Sequence, residues 1–388
     1  MERVLITGGL GFIGSHVTQA CVERGFSVRI VDNLNPQIHG PVPRLNHAFL
    51  QHPLVEVIRG DIAGPCDWQQ WLEGVNCMVH LAAETGTSQS MYEIYKYTNV
   101  NLGGTAGLLN YLANKPHKVA RIILGSSRSI YGEGQYLCSR CGVVYPGARS
   151  VEDLRLGRWE PPCPKCRGAI KAVATHEGAK TAPVSIYAAT KLGQEDLIRI
   201  AGDALGIATV IFRFQNVYGE GQSLKNPYTG ILSIFSNQLR QGVCVNIYED
   251  GQESRDFIHV SDVARAILLA MTSSRADGLT LNVGSGIATG VAEVVPLLAK
   301  ELGVEAKSAV SGEYRLGDIR HCFADLRAIR DALDFVPEVG LEQGLVRLLK
   351  WVRAQGIEAD KLDAAHRELV SRGMMGGAGN AAKTASFK

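Results

Sequence analysis

The sequence has little net charge and no long apolar run. Its formal charge is +2 over 388 residues, which is too small to give the broad basic surface that binds nucleic acid or another polyanion. No apolar run approaches the roughly 20 residues that a membrane-spanning helix needs. We therefore expect neither nucleic acid nor a membrane as a partner.

The chain also shows no signal peptide, because Met1 to Arg3 lead directly into residues 4–7, which have the pattern of a first β-strand. We expect a cytoplasmic protein with reduced thiols. Most of the nine cysteines are isolated among apolar neighbours and are interpreted as small buried side chains. These isolated residues are Cys21, Cys66, Cys77, Cys244 and Cys322.

Short β-rich runs alternate with longer helix-like stretches along the chain, and no internal repeat interrupts them. With 46% hydrophobic residues the chain can bury a large core, and its length allows two or three domains of roughly 150 residues. The alternation predicts an α/β fold with a doubly wound parallel sheet. The predicted strands are residues 4–7, 27–31, 77–80, 121–124, 209–214, 257–260 and 280–283.

A glycine turn follows the first predicted strand, with glycines at positions 8, 11 and 14. Such a turn presents backbone N–H groups and a helix N-terminus to a pyrophosphate, and a side chain at Gly8, Gly11 or Gly14 would block that approach. Asp32 ends the next strand, where its carboxylate can accept hydrogen bonds from an adenosine ribose and repel a 2′-phosphate. The pattern predicts an NAD site. Asp61 also follows a strand; it either approaches the adenine or is an ordinary helix N-cap.

Tyr187 and Lys191 are four residues apart in a helix predicted to begin near Ser185, so their side chains share one face. To act as a base, a phenol must lower its pKa from about 10 by about 3 units, or about 4 kcal/mol. A unit charge at ~4 Å in an effective dielectric of ~20 contributes about 4 kcal/mol, and oxidised nicotinamide adds a second positive charge. Ser127 would hydrogen-bond the reacting oxygen. The three residues predict hydride chemistry.

These motifs together resemble the extended short-chain dehydrogenases/reductases, and within them the NAD-dependent nucleotide-sugar epimerases such as UDP-galactose 4-epimerase. The resemblance runs almost end to end. It is carried by the glycine turn, His-Leu-Ala-Ala at 80–83, Asn-Leu-Gly-Gly-Thr at 101–105, the Ser127 segment, the Tyr/Lys pair, Arg-Phe-Gln-Asn at 213–216, Arg-Asp-Phe-Ile-His-Val at 255–260 and Asn-Val-Gly at 282–284.

The resemblance implies an NAD-binding Rossmann domain and a smaller, interleaved lobe that binds a nucleoside-diphosphate sugar. The implied cofactor site comprises Gly8, Gly11, Phe12, Ile13, Gly14, Asp32, Asn33, Asp61, Ile62, Leu81, Ala82, Ala83, Asn101, Tyr187 and Lys191. The implied substrate site comprises Glu84, Ser127, Arg128, Asn216, Arg255, Arg315 and Asp318. Arginine suits a diphosphate because it presents a planar fork of donors. A homodimer formed through two helices per subunit is also implied.

Four further segments, at 35–40, 127–134, 226–230 and 314–321, most resemble dTDP-L-rhamnose 4-epimerases. The reaction thereby implied is epimerisation at C4 through a transient 4-keto sugar, from dTDP-L-rhamnose to dTDP-6-deoxy-L-talose. Sugar dehydratases of the superfamily carry Asp-Glu after the Ser/Thr, whereas Arg128 and Ser129 stand there. Dehydration is therefore not expected.

Between Ser127 and Tyr187 the chain carries two Cys-x-x-Cys pairs, Cys138/Cys141 and Cys163/Cys166. This spacing is typical of a zinc ribbon with a closed, structural site, and the rival interpretation of disulfides is disfavoured in a reducing compartment. The insert also carries basic residues, which could reach the substrate's phosphates but which we interpret as a solvated face. They are Arg140, Arg149, Arg155, Arg158, Lys165, Arg167 and Lys171.

The domain boundaries follow from these motifs. Residues 1–132 and 177–214, with 257–285 returning, are assigned to the Rossmann domain; 133–176 to the insert; 215–256 and 286–355 to the sugar-binding lobe; and the Gly/Ala-rich 373–388 to a disordered tail. Two rival functions remain open. One is an NDP-sugar 4-ketoreductase or dehydrogenase that consumes its cofactor, and the other is a non-enzymatic dinucleotide sensor or zinc-ribbon nucleic-acid binder.

Overall fold

The computed structural model describes residues 3–43, 45–224, 226, 228, 230–357 and 362–378, with the side chains of 362 and 363 excluded. Its strands are β1 Arg3–Thr7, β2 Ser27–Asp32, β3 Val55–Arg59, β4 Val75–His80, β5 Arg121–Ser127, β6 Tyr136–Cys138, β7 Gly142–Val144, β8 Ile170–Ala172, β9 Ala208–Phe214, β10 Asn216–Tyr218, β11 Val245–Ile247, β12 Ser254–Arg255, β13 Phe257–His259, β14 Thr280–Val283, β15 Thr289–Gly290, β16 Ser308–Val310, β17 Glu313–Arg315, β18 His321–Cys322 and β19 Met375–Gly377.

The α-helices are α1 Phe12–Glu23, α2 Pro36–His39, α3 Trp68–Trp71, α4 Thr87–Ser90, α5 Ile94–Tyr97, α6 Gly104–Asn114, α7 Val151–Arg155, α8 Ile186–Leu205, α9 Ile231–Arg240, α10 Val260–Thr272, α11 Val291–Leu302, α12 Arg327–Leu333, α13 Leu341–Ala354 and α14 Leu362–Ser371. A π-helical segment, Thr98–Gly103, leads into α6, and 3₁₀ turns occur at Ala48–Gln51, Arg128–Tyr131 and Ser274–Ala276. None of the helices within the described ranges has the length and apolar character that crossing a membrane requires.

Seven strands form one sheet in the order β14-β9-β5-β4-β1-β2-β3, and every pairing within it is parallel. The predicted parallel, doubly wound sheet is therefore confirmed. Alternate residues of β1 face opposite layers, because Val4 and Ile6 join the core beneath α1 and α10 while Leu5 joins the core beneath α6 and α8. From β1 the chain adds strands first on one side of the sheet (β2, β3) and then on the other (β4, β5). This change of direction places a crevice at the carboxyl ends of β1 and β4.

A separate core marks the smaller lobe. Helices α9, α11 and α13 pack around Leu232, Val294 and Leu348, beside the parallel pair β11 and β16. The lobe is interleaved with the sheet along the chain. Strand β10 directly follows β9 of the sheet and pairs with β13, which directly precedes α10.

The four-cysteine insert is a small unit of its own. Its strands β6, β7 and β8 form an antiparallel sheet in the order β7-β6-β8, and its core contains Tyr136, Val144 and the buried cysteines Cys138 and Cys163.

The Gly/Ala-rich segment that was expected to be disordered from Gly373 onward begins with a paired strand. β19 pairs antiparallel with β17, which provides partners for backbone groups that composition alone could not reveal. The remaining tail, residues 379–388, lies outside the described part of the chain.

Candidate active site

A cavity of about 1740 Å³ lies at the carboxyl ends of the parallel strands and continues into the smaller lobe. The structure brings nearly all the predicted cofactor and substrate residues to its wall. Those that line it are Gly8, Gly11, Phe12, Ile13, Gly14, Asp32, Asn33, Asp61, Ile62, Leu81, Ala82, Ala83, Glu84, Ser127, Arg128, Tyr187, Lys191, Asn216, Arg255, Arg315 and Asp318.

Asn101 is the exception, because it lies behind the cavity wall. It is fully buried; its Oδ1 accepts from Glu84 N at 2.8 Å and its Nδ2 donates to Thr190 Oγ1 at 3.0 Å. Asn101 therefore connects the segment after β4 to helix α8, and its contacts are with the protein rather than with the crevice.

The glycine turn packs closely against the neighbouring backbone only because it lacks side chains. Gly8 has φ +70°, and a Cβ there would lie 2.9 Å from Ala82 N. A Cβ on Gly14 would lie 2.1 Å from Gly8 O. No side chain caps helix α1 at Gly11, so its first N–H groups face the crevice, as a pyrophosphate site requires. These residues fit a dinucleotide.

Asp32 ends β2 at the crevice wall. Its carboxylate accepts from Leu10 N at 3.0 Å and Leu34 N at 2.9 Å, and His39 Nε2 lies 3.6 Å away. Burial opposes ionisation, but nearby His39 and the hydrogen bonds from Leu34 N and Leu10 N outweigh it and lower the pKa of Asp32. The group is a carboxylate at neutral pH and suits a ribose diol.

Asp61 is not a helix N-cap, which was one of its two interpretations. The next helix begins at Trp68 and is capped by Asp67. The side chain of Asp61 instead accepts from Asn33 Nδ2 at 3.2 Å and from Ala63 N at 2.9 Å. It therefore joins the ends of β2 and β3 at the cavity.

Helix α8 carries the predicted acid–base pair. Ser185 caps it by accepting from Ala188 N at 3.2 Å, so the helix begins where the sequence predicted. Tyr187 is half-buried with its ring against the edge of Tyr97, at a centroid distance of 6.5 Å. The Lys191 ammonium is buried and donates to Gly125 O at 2.7 Å and Gln194 Oε1 at 2.9 Å.

The protein's own groups do not lower the pKa of the phenol. Burial raises the pKa of Tyr187, and only a hydrogen bond with Ser127 and the charge of Arg128 oppose that rise. Burial also lowers the pKa of Lys191 to about 8. In the protein alone the Lys191 ammonium donates to Gly125 O and Gln194 Oε1, and the predicted lowering of the phenol's pKa by Lys191 together with an oxidised nicotinamide stays a prediction. A cationic ligand beside Tyr187 would add a positive charge that favours the phenolate.

Ser127 lies at the end of β5, in register with Phe214 of the neighbouring strand. Its Oγ accepts from Ser129 N at 3.2 Å and from Ser129 Oγ at 3.0 Å. These bonds orient the hydroxyl, which lies close enough to Tyr187 to oppose the rise in its pKa. Ser127 and Tyr187 can thus address one ligand oxygen together.

On the lobe side, cationic side chains line the cavity around one carboxylate. Arg255 Nη2 donates to Asp318 Oδ1 at 3.1 Å and Arg315 Nη2 donates to Asp318 Oδ2 at 2.7 Å. Arg128 Nε donates to Asn216 Oδ1 at 2.8 Å. Burial opposes ionisation of Asp318, but Arg315 and Arg255 hold its pKa below the usual range. Three guanidinium groups and one carboxylate suit a polyanionic ligand.

Glu84 reaches the same wall but already has partners. Its Oε1 accepts from Asn35 Nδ2 at 2.9 Å, and its Oε2 is 3.2 Å from Lys96 Nζ. These bonds hold the segment after β4 in place.

The four cysteines of the insert converge. All four sulfur atoms lie within 4.8 Å of one another, and Cys138 Sγ is 3.6 Å from Cys166 Sγ. That separation is too long for a disulfide bond of about 2.05 Å and matches thiolates arranged around an ion with bonds of about 2.3 Å. Cys163 O accepts from Arg167 N at 2.9 Å, which forms the tight turn of the second pair. The donor set fits a closed zinc site.

The basic residues of the insert do not all form a solvated face. Six are exposed, but the Arg149 side chain is only 3% exposed. Its Nη1 is 2.7 Å from Glu249 Oε2 and its Nε is 3.2 Å from Glu133 Oε1. Sequence could not reveal this, because the compensating carboxylates are distant along the chain.

Several cavity residues were not predicted as site residues. His39 lies beside Asp32, and Tyr248 stacks beneath Arg315 with the guanidinium 5.0 Å from the ring centroid. Tyr228 also lines the cavity, and its hydroxyl is 2.8 Å from that of Tyr92. His39 and Tyr228 lie in segments 35–40 and 226–230, two of the segments that resemble dTDP-L-rhamnose 4-epimerases, and this resemblance could have marked them as site residues. Pro227 and Thr229 of the second segment lie outside the described residues.

Comparison with known proteins places this geometry in context. The sequence profile described as the NAD dependent epimerase/dehydratase family matches residues 4–144 and 164–284. A dTDP-L-rhamnose 4-epimerase of Burkholderia thailandensis is 35% identical over 354 residues, which cover 90% of this chain and 95% of that protein.

Solved structures give the same picture. MoeE5 in complex with UDP-glucuronic acid and NAD is 29% identical, with a TM-score of 0.70 over 91% of this chain and 99% of that one. A UDP-glucose 4-epimerase of Thermotoga maritima with UDP-glucose is 26% identical, with a TM-score of 0.72 over 91% and 99% of the two chains.

Proposed function

Because this chain belongs to the NAD dependent epimerase/dehydratase family, we propose that it interconverts C4 epimers of a nucleoside-diphosphate sugar, with dTDP-L-rhamnose converted to dTDP-6-deoxy-L-talose through a transient 4-keto sugar. The observation that carries the proposal is one cavity that holds the glycine turn, Ser127 with Tyr187, and the arginines of the smaller lobe. The Burkholderia relative supports the choice of sugar.

The residues divide the work by position. The glycine turn and Asp32 would hold NAD, which when bound would supply the hydride acceptor and donor for C4. Tyr187 takes the proton of the C4 hydroxyl and gives it back when the 4-keto group is reduced, and Ser127 holds that oxygen in line. Arg128, Arg255 and Arg315 hold the diphosphate, so the sugar can turn between the two half-reactions without leaving.

The substitution Tyr187→Phe tests the assignment. Loss of the acid–base group should lower epimerisation at least about 100-fold while the protein still retains NAD. Tyr95→Phe is the matched control, because Tyr95 is 82% exposed and should leave turnover unchanged. The assay is product analysis at C4 by NMR with dTDP-L-rhamnose, UDP-glucose and UDP-glucuronic acid.

The cofactor balance separates the rival reaction. An epimerase needs no added NADH, since the hydride returns to the sugar. Stoichiometric oxidation of NADH would identify a ketoreductase instead, and a fully active Tyr187→Phe variant would refute the catalytic role. If dTDP-L-rhamnose is inert and a UDP-sugar is epimerised, the sugar assignment fails while the reaction class stands.

We also propose that Cys138, Cys141, Cys163 and Cys166 bind one structural zinc ion. The four sulfurs leave no position for a substrate, so the ion stabilises the insert. Metal analysis of the intact protein should give one zinc per chain, and Cys141→Ser should abolish stoichiometric binding. Cys244→Ser is the control, because Cys244 is exposed and away from the cluster. Less than one zinc per four intact thiols in metal-replete protein rejects the site.

A homodimer remains a proposal as well. Helix α8 carries Tyr187 on one face and exposes Leu197 and Ile200, at 36% and 58%, on another. Pairing of α8 with its copy would cover these side chains. Sedimentation equilibrium should give twice the chain mass, and Ile200→Lys should give monomers; a monomeric wild-type protein contradicts the proposal.

A further inference from the structure

The two arginines on the lobe side of the cavity depend on Asp318 for their position. Arg255 and Arg315 each donate to a different oxygen of that carboxylate. Arg255 Nη1 also donates to Arg320 O at 3.2 Å. The segment 318–320 therefore holds both guanidinium groups, and any shift of its backbone moves them.

The four-cysteine insert contacts this same segment through Arg149. Its Nη2 donates to Asp318 O at 3.0 Å, while its other nitrogens approach the carboxylates of Glu133 and Glu249. Its Nη1 also donates to Trp159 O at 3.3 Å. The two carboxylate side chains are 2% and 5% exposed, so the guanidinium is enclosed by four acceptors. A planar fork with four fixed acceptors has one orientation.

Two further contacts connect the insert to the segment. Glu133 Oε2 accepts from Arg320 N at 2.8 Å, and Arg320 Nε donates to Glu160 Oε1 at 2.7 Å. Asp318 and Arg320 are thus each hydrogen-bonded both to a residue of the insert and to Arg255.

We propose that Arg149 is a positioning residue for the nucleotide-sugar site: it fixes the backbone of Asp318, which in turn orients Arg255 and Arg315 toward the substrate's diphosphate. The proposal rests on the proposed function, in which those arginines receive the diphosphate. It gives the insert a role in substrate affinity, since Arg149 reaches Asp318 only when the insert is folded against the lobe.

The variants Arg149→Met and Arg149→Lys test the proposal, with Arg158→Met as the matched control. Arg158 belongs to the same insert, is 67% exposed and pairs with Asp153 at 3.5 Å. Arg149→Met removes the contacts with Asp318 O, Trp159 O, Glu133 and Glu249. Arg149→Lys keeps a positive charge beside Glu133 and Glu249, and this charge protects folding. A single ammonium group, however, cannot also donate to Asp318 O as the planar guanidinium does.

Titration calorimetry with dTDP and with UDP measures the site directly, and steady-state kinetics gives KM and kcat. Both Arg149 variants should weaken binding of the two nucleotides by a similar factor of about ten, equivalent to about 1.4 kcal/mol, because the diphosphate rather than the base is affected. KM should rise by the same factor with kcat nearly unchanged. Retained NAD should equal that of wild type, since the glycine turn is remote from the insert.

Wild-type affinity for dTDP and UDP in a folded Arg149→Lys protein would overturn the proposal. So would an equal loss of nucleotide affinity, kcat and NAD in both variants, because that pattern indicates general destabilisation. Failure of the proposed function gives a different result: the wild-type protein itself would bind neither nucleotide and epimerise no sugar.

Discussion

Gly14 offers a sharp test of the cofactor site. A Cβ at this position would lie 2.1 Å from Gly8 O and 2.7 Å from the Cα of Gly9. Both obstacles are backbone atoms, so no flexible side chain can move aside. Gly8 O also accepts from Gly11 N at 3.1 Å, and a shift of that carbonyl disturbs the whole turn.

The expected change in the free energy of unfolding of Gly14→Ala follows from two opposing effects. Alanine gains about 1 kcal/mol over glycine in a helix, whereas forcing a methyl group into a filled space costs about 1–3 kcal/mol or more. Because the clash is with backbone, we expect Gly14→Ala to be destabilised by about 2 kcal/mol. The displaced turn should also lose NAD.

Gly107→Ala is the matched control, because Gly107 is also helical, is exposed, and its Cβ would approach nothing nearer than Trp68 Nε1 at 3.7 Å. This variant should be slightly more stable than wild type. Urea denaturation followed by fluorescence gives the stabilities, and chromatography of acid extracts gives the NAD content per chain. A Gly14→Ala protein with wild-type stability and full NAD would refute the reasoning.

Three other predictions concern groups around the site. Burial and the charge of Lys191 lower the pKa of His80 from 6.5 to about 3, so the unfolded chain binds the proton first and the free energy of unfolding falls as the pH drops below about 6.5. Between about pH 7 and pH 4.5, urea denaturation should show that His80→Gln loses about 2 kcal/mol less stability than wild type. Equal losses in the two proteins would contradict this. Glu195→Gln should cost about 3 kcal/mol or more in denaturant, because buried Arg213 loses the carboxylate that lies 2.7 Å from its Nη2. Asp196→Asn, whose partner Arg199 is half exposed, should cost less than about 1 kcal/mol. Similar losses in the two variants would show the buried pair to be unimportant. Deletion of residues 362–388 removes strand β19, the partner of β17 that carries Arg315, and removes Glu368, which accepts from the hydroxyls of Tyr92 and Tyr228. The KM for the nucleotide sugar should therefore rise while NAD is retained. An unchanged KM would exclude a role of this segment in substrate binding.

The parts of the fold that sequence could predict are those specified by neighbours along the chain. A buried parallel strand is a continuous apolar run, as in β1 and β9, and its end marks where a ligand group such as Asp32 will lie. Ser185 followed by Tyr187 and Lys191 predicts both the start of helix α8 and a shared face. Each of these predictions needs only local periodicity.

The parts that sequence missed depend on partners far apart in the chain. Asn101 lies behind the wall because Glu84 and Thr190 both bond its amide, and neither bond is visible from its own segment. The strand β19 exists because β17 supplies an edge. The pKa of Tyr187 depends on burial and on Arg128, whereas the spacing of Tyr187 and Lys191 shows only that they share a helix face.

Arg149 illustrates how an insert can become part of a site without entering it. The family profile stops at residue 144 and resumes at 164, so Arg149 lies in the portion that the profile does not describe. Yet Glu133 before this portion and Glu249 in the lobe are both buried beside Arg149. Burial raises the pKa of Glu133, and the charge of Arg149 is the largest influence opposing that rise. Arg149 therefore neutralises one buried carboxylate at the start of the insert, Glu133, and, together with Arg320, one in the lobe, Glu249, and the same cation holds Asp318 O. This shared dependence makes the insert energetically part of the lobe.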